Sequence, residues 1–544
     1  MRRSTSLLAL FASASLACAG DEVAGGEGGT TGDSGAQPGS SSGGVVDTGE
    51  ATTSSIADTS TGEAFVPVPA RGIVITEIEA NQAVGVPVYR EGAWVDGGGR
   101  NAELFVGRNT MIRASWAIDP AFTPREIEAR LELSYEDGSS ESATRRVVVD
   151  GDSNLSVLDS TFWFGVPGEL ITPLVQFQVT LWETAPGGFE DLPEVPEPIG
   201  YPATPSFVGV EPSDMALRVV LVPIHHNLGP ECLEPPELDR ATVSALSDYL
   251  YKQNPVNRID VTARATIPWT DDLGSFNGLL AELAGLRDAD GADPGVYYYG
   301  LVRPCDGGPE GIGGQAIDIP GFPSQGNGWS RVAVGRFYSG GIDSTANTFV
   351  HEIGHTQGRS HVACNGDEGG ATPLYPYPGG NIGAWGFDIV DWNQLFKPDV
   401  AKDYMTYCGN TWVSDWGWRE VVPYIREITS WEAADAEPAT GRVLVGLYDG
   451  LGGAPHWFVT TGSVEGRTPG GADTVELVDE RGDAHVLPAT LGSMGDGGGY
   501  NVAVALPDAV AVDRLRGATR VIGPVREPIA RVRVGGAAVV LLSD

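Results

Sequence analysis

Three of the chain's seven histidines fall within one short segment, His351-Glu352-Ile353-Gly354-His355-Thr356-Gln357-Gly358-Arg359-Ser360-His361. On an α-helix, positions i and i+4 share a face, so His351 and His355 can direct imidazole nitrogens at a single ion. Glu352 stands one step round the helix, near enough to hold an ion-bound water but not placed to be a third ligand. Gly358 supplies a reversal, because glycine adopts the left-handed conformation that ends a helix, and the chain can then return His361 as a third nitrogen. Three protein ligands leave one position for water, which is the pattern of a catalytic zinc ion; surface histidines and a structural zinc site are the alternatives. The chemistry these residues suit is hydrolysis by a metal-activated water with Glu352 as general base.

The segment needs a helix and a cleft to position it. Upstream, Ala346, Phe349, Val350 and Ile353 repeat at i, i+3, i+4 and i+7, a stripe lying opposite the His351/His355 face. Asp343 or Ser344 is expected to cap the start of this helix. One side would then be buried and the other turned to a cleft. Just before it, Arg331–Phe337 alternates like a strand, either at a sheet edge or inside the sheet.

The fixed positions H-E-x-x-H-x-x-G-x-x-H resemble the signature of the metzincin clan of zinc endopeptidases, and secreted bacterial members are the most similar kind. The resemblance spans residues 215–432, with only the zinc motif and one further element specific. That element is the methionine turn beneath the metal, for which Asp403-Tyr404-Met405-Thr406-Tyr407 fits. Only five methionines occur in the chain, so one in this context is informative. Tyr407 resembles the tyrosine that astacin- and serralysin-like members hold near the metal, a packed core tyrosine being the alternative. The aromatic, glycine-rich run Tyr375–Asn381 and Trp385–Phe387 departs from the best-known subfamilies.

What the resemblance implies is a zinc endopeptidase with one catalytic Zn2+ held by His351, His355 and His361, and with Glu352 and Tyr407 as catalytic residues. Substrates would be proteins or glycoproteins added as a strand to a sheet edge. Calcium has no support among the residues. A catalytically inactive surface adhesion protein on the same scaffold is the main competitor, and a zinc hydrolase of non-peptide bonds a further one. Cys364 follows His361, and Cys408 follows Met405, at the same offset of three. Since the third ligand and the methionine turn must meet at the metal, Cys364–Cys408 is the expected disulfide and Cys232–Cys305 the remaining one. Cysteines as metal ligands are the alternative.

Met1-Arg2-Arg3 and the apolar run Leu7–Leu16 form a secretory signal, ending in Ser15-Leu16-Ala17-Cys18. That resembles a bacterial lipoprotein cleavage site with Cys18 acylated, although Ser15 departs from it; a plain signal peptide over residues 1–18 is the alternative. Residues 19–68 hold few large hydrophobes and read as a disordered Gly/Ser/Thr-rich linker. An exported protein is expected, touching a membrane only through a lipid at Cys18. The net charge of −38 argues against nucleic acid or an anionic membrane surface as partners.

At 544 residues the chain is too long for a single core, and about three folded units are expected. Short alternating runs over 69–200 suggest an immunoglobulin-like β-sandwich, with the proline-rich Pro193–Pro205 as linker. Residues 210–432 form the expected α+β metzincin-like protease domain, and 435–544 a second β domain. His225 and His226 follow the strand Leu217–Ile224 and either border the cleft or serve a hydrogen-bonded role.

Overall fold

A computed structural model describes residues 65–366, 369–433, 441–450, 452–534 and 537–540. The expected signal peptide, Cys18 and residues 19–64 of the linker lie outside the described residues. What is described is a multidomain, strand-rich protein with four α-helices: α1 (Arg240–Gln253), α2 (Asn277–Ala289), α3 (Ile342–Thr356) and α4 (Asp415–Ala433).

The N-terminal region is two antiparallel sheets sharing buried side chains. In Gln176–Glu183 the alternation seen in sequence becomes alternate burial, with Phe177, Val179 and Leu181 inward. The proline-rich stretch is not all linker: Gly200–Phe207 pairs antiparallel with Gln176–Glu183. The hydrophobic cluster does not stop there, but runs on into the central region. Trp412 and Trp418 donate their indole N–H groups back to Ala83 O (2.8 Å) and Glu103 O (3.0 Å).

The central sheet runs in the order Arg258–Ala263, Ala216–His226, Val296–Val302, Val332–Arg336, Gly314–Ala316. Its first four strands are parallel and the last is antiparallel. A parallel strand is covered on both faces, which explains the unbroken apolar run Leu217–Ile224. Odd residues Leu217, Val219 and Leu221 pack with Phe349, Val350 and Ile353 of α3. Val222 and Ile224 face Leu279, Leu280 and Leu283 of α2 on the other side. Val332–Arg336 is bonded on both edges, so it is the internal strand, and Gly314–Ala316 is the edge.

The C-terminal region is a nine-stranded sheet whose Val443, Val445, Leu447 and Phe458 pack on α2. Polar contacts fasten it to the chain beyond the edge strand. Asn501 Nδ2 donates to Ile317 O (2.8 Å) and Asp318 Oδ1 (2.9 Å), and Arg467 Nη1 to Asp318 Oδ2 (2.5 Å). Two disulfides are present, Cys232–Cys305 and Cys364–Cys408.

Candidate metal centre

The apolar stripe Ala346, Phe349, Val350 and Ile353 is buried, which turns the opposite face of α3 to the cleft. Neither Asp343 nor Ser344 caps the helix. Gly341, at φ +143°, is the N-cap and no side chain caps the first turn. The cap lies two residues before Asp343, which sits in the first turn and instead accepts from Tyr249 Oη (2.6 Å). At the other end Gly358 sits at φ +82°, and a Cβ there would lie 2.6 Å from Pro320 O, so only glycine makes the reversal.

That reversal brings His361 Nε2 to 3.0 Å from His355 Nε2. Each imidazole is held from behind by the main chain: His351 Nδ1 by Tyr404 O (2.8 Å), His355 Nδ1 by Arg359 O (2.7 Å), His361 Nδ1 by Gly369 O (2.8 Å). A ring whose Nδ1–H donates to a carbonyl presents the lone pair of Nε2 inward. Burial pushes His355 down to about 4, which keeps it neutral and ready to donate that lone pair. Inward lone pairs 3.0 Å apart repel unless a proton or a metal cation lies between them.

Glu352 is buried beside these nitrogens, with Asp496 and the Ala316 main chain as its polar neighbours. Burial first, and then the charge of Asp496, raises its pKa well above the usual carboxylate range. The edge strand makes room for it, since a Cβ on Gly314 would fall 2.6 Å from Glu352 Cγ.

The methionine turn lies against the same helix. Met405 is buried, and a Cβ on Gly354 would lie 2.6 Å from its Sδ. Glycine inside a helix is costly, and here the close approach of the turn is its reason. The turn is shaped by Asp403, whose Oδ1 accepts from Met405 N (2.9 Å) and whose O accepts from Thr406 N (3.0 Å). Val362 N donates to Met405 O (2.9 Å), so the third-ligand loop and the turn are bonded as well as joined by Cys364–Cys408. Tyr407 is not a core tyrosine: its residue is 54% exposed, while its hydroxyl reaches His361 Nε2 at 2.9 Å. His226 takes the hydrogen-bonded alternative, with Nδ1 accepting from Cys305 N (2.9 Å).

Sequence reasoning missed a fourth group. Asp496, 135 residues beyond His361, comes from a C-terminal hairpin. Its Oδ1 lies 2.8 Å from His361 Nε2, 3.4 Å from His351 Nε2 and 3.6 Å from His355 Nε2. Tyr407 Oη donates to the same oxygen at 2.8 Å. Burial opposes its charge, but the three histidines outweigh that and hold its pKa well below the usual range. The same carboxylate raises His351 against its own burial. The ligand atoms of all four residues lie within 4.8 Å of one another, and the group could bind a metal ion. Three imidazole nitrogens and a carboxylate oxygen fit a divalent ion of borderline softness, zinc among them. The one signal in sequence was the glycine setting Met494-Gly495-Asp496-Gly497-Gly498-Gly499, which no spacing rule ties to a histidine. Asp403 and the buried Arg359, whose Nη1 donates to Gly417 O (2.9 Å), were missed too, as supports rather than ligands.

No protein-family model and no curated protein matches this chain. Among solved structures, it is similar to Bacteroides uniformis beta-glucuronidase 2 covalently bound to cyclophellitol-6-carboxylate aziridine. That match has 12% identity, 47% of this chain and 24% of that chain covered, and a TM-score of 0.13. A calcium-binding mutant of the same enzyme matches at 10% identity, over 43% of this chain and 28% of that one, with a TM-score of 0.14. At such scores neither likeness carries an argument about fold or activity.

Proposed function

We propose that the chain is a zinc-dependent endopeptidase acting on extracellular proteins, built on a metzincin-like domain between an immunoglobulin-like sandwich and a second β domain. The observation that supports this best is the convergence of three main-chain-braced histidines beside a buried Glu352. When bound, zinc would supply a Lewis acid that polarises a carbonyl and acidifies water. Glu352 accepts a proton from the attacking water and passes it to the leaving amine. The Tyr407 hydroxyl donates to the oxygen on which negative charge develops. The outer edge of Gly314–Ala316 would take an extended peptide once Gly495, whose N donates to Ala316 O (3.0 Å), moves off it. Export, by a signal peptide with or without acylation of Cys18, belongs to the same proposal.

Asp496 favours a second reading. Four protein ligands make a closed site, which suits a catalytically inactive surface-binding protein. Casein and mucin digestion by the wild type and by Asp496→Ala, each with and without a chelator, separates the two. Chelator-sensitive cleavage that disappears in Glu352→Gln, with metal still bound, is the expected result. If neither form cleaves any peptide bond, the endopeptidase proposal fails.

A further inference from the structure

We propose that the hairpin segment Ser493–Gly499 is a built-in inhibitor of this site. Asp496 fills the coordination position that water needs, and the backbone before it fills the sheet edge that a peptide needs. The proposal rests on the hydrolytic reading of the site.

The segment occupies each part of the machinery that a substrate would use. Gly495 N donates to Ala316 O (3.0 Å) and Ile319 N donates to Ser493 O (2.8 Å). The residue numbers run in opposite directions, so the segment adds to the edge strand as an antiparallel peptide does in strand-addition recognition. Gln315 Nε2 donates to Asp496 O (3.0 Å), holding the next carbonyl. A Cβ on Gly495 would lie 2.8 Å from Ala316 N and 3.0 Å from His355 Cδ2, so the backbone passes between the edge strand and a ligand as only glycine can. Asp496 Oδ1 then sits among the three Nε2 atoms and takes the Tyr407 hydroxyl. An anionic oxygen at the histidines, bonded to that hydroxyl, mimics the charge expected on a substrate oxygen in the transition state.

The segment is also built to leave. Gly497 and Gly498 have φ of +87° and +66°, and Gly498 is exposed at the tip. The sheet behind it is fastened separately, through Asn501 and Arg467 to Asp318. Displacing a few residues, or cutting the tip, would therefore open the site without dismantling the sheet.

The test uses the full chain loaded with Co2+, titrated with acetohydroxamate and followed by visible absorption. Asp496→Ala is expected to bind hydroxamate at least about tenfold more tightly than wild type, because an intramolecular competitor acts at high effective concentration. Casein cleavage should rise with it. Equal hydroxamate affinity in the two proteins overturns the proposal, and so does loss of cobalt from Asp496→Ala, which would make Asp496 a permanent ligand. Tighter hydroxamate binding with no cleavage of any protein supports the inhibitor and sinks the endopeptidase reading instead. Should Asp496→Ala fail to fold, a site-specific protease sequence inserted between Gly497 and Gly498 serves in its place. Cutting the folded protein there should give the same gain in hydroxamate affinity, and no gain overturns the proposal.

Discussion

The end of α3 and the Ser493–Gly499 hairpin meet at the same four ligand atoms, yet they are held in different ways. His351, His355 and His361 are braced by three main-chain carbonyls, backed by a buried methionine and tied by a disulfide. Asp496 is held by the site itself, by backbone bonds from its segment to Ala316 and Ile319, by one glutamine, and by the buried neighbour Met494. The first region is fixed by covalent and core interactions that cost many kilocalories to undo. The second depends on a few hydrogen bonds, each worth about 1 kcal/mol net, and one buried side chain, Met494, in a backbone rich in glycine. Groups of a site that must stay belong on the former kind of element, and groups that must move belong on the latter.

The widest expected separation between the regions is in metal binding. His355→Ala should lower affinity by more than the roughly 10–100-fold that loss of an outer supporting partner costs, whereas Asp496→Ala should retain about one metal per chain. Mass-spectrometric metal content after dialysis checks this, and equal loss in both would erase the distinction. Next in size is Met405→Ala, which removes a fully buried side chain from under α3 and should cost about 2–5 kcal/mol in denaturant unfolding. Replacing both Cys364 and Cys408 by serine is expected to cost about 2–4 kcal/mol and to loosen the third-ligand loop. Smallest is Gly498→Ala, where φ +66° strains any side chain: about 1 kcal/mol, read as faster proteolytic nicking of the hairpin with metal content unchanged. A nicking rate equal to wild type would show that the hairpin does not open locally.

The contrast also explains what the sequence disclosed. The helix stripe, the i, i+4 histidines and the reversal at Gly358 are local relations, and each fixes a direction in space once a helix is assumed. Both disulfides were legible because two offsets of three pointed to one place. The cap at Asp343 or Ser344 was read wrongly, since Gly340-Gly341 lets the chain turn in without one. The edge strand was hidden because Gly314–Ala316 is only three residues long, with no periodicity to read. Pro193–Pro205 carried the composition of a linker while Gly200–Phe207 was free to pair at an edge. Asp496 was beyond reach, because its position depends on how a nine-stranded sheet packs on α2, a relation that no short-range pattern encodes.

The main-chain bracing of the three histidines has an electrostatic consequence. Their outer nitrogens meet carbonyls, not carboxylates, so the rings are braced by dipoles and Asp403, acting on His351 at longer range, is the carboxylate that adds charge there. A divalent ion among them would be met chiefly by Asp496, whose Oδ1 faces all three Nε2 atoms. Withdrawal of Asp496 would leave the ion's positive charge less compensated, on a protein whose net charge is −38. The opened cleft is then a small cationic spot on an anionic body, and it would draw in carbonyl oxygens and the carboxylate ends of cut peptides alike.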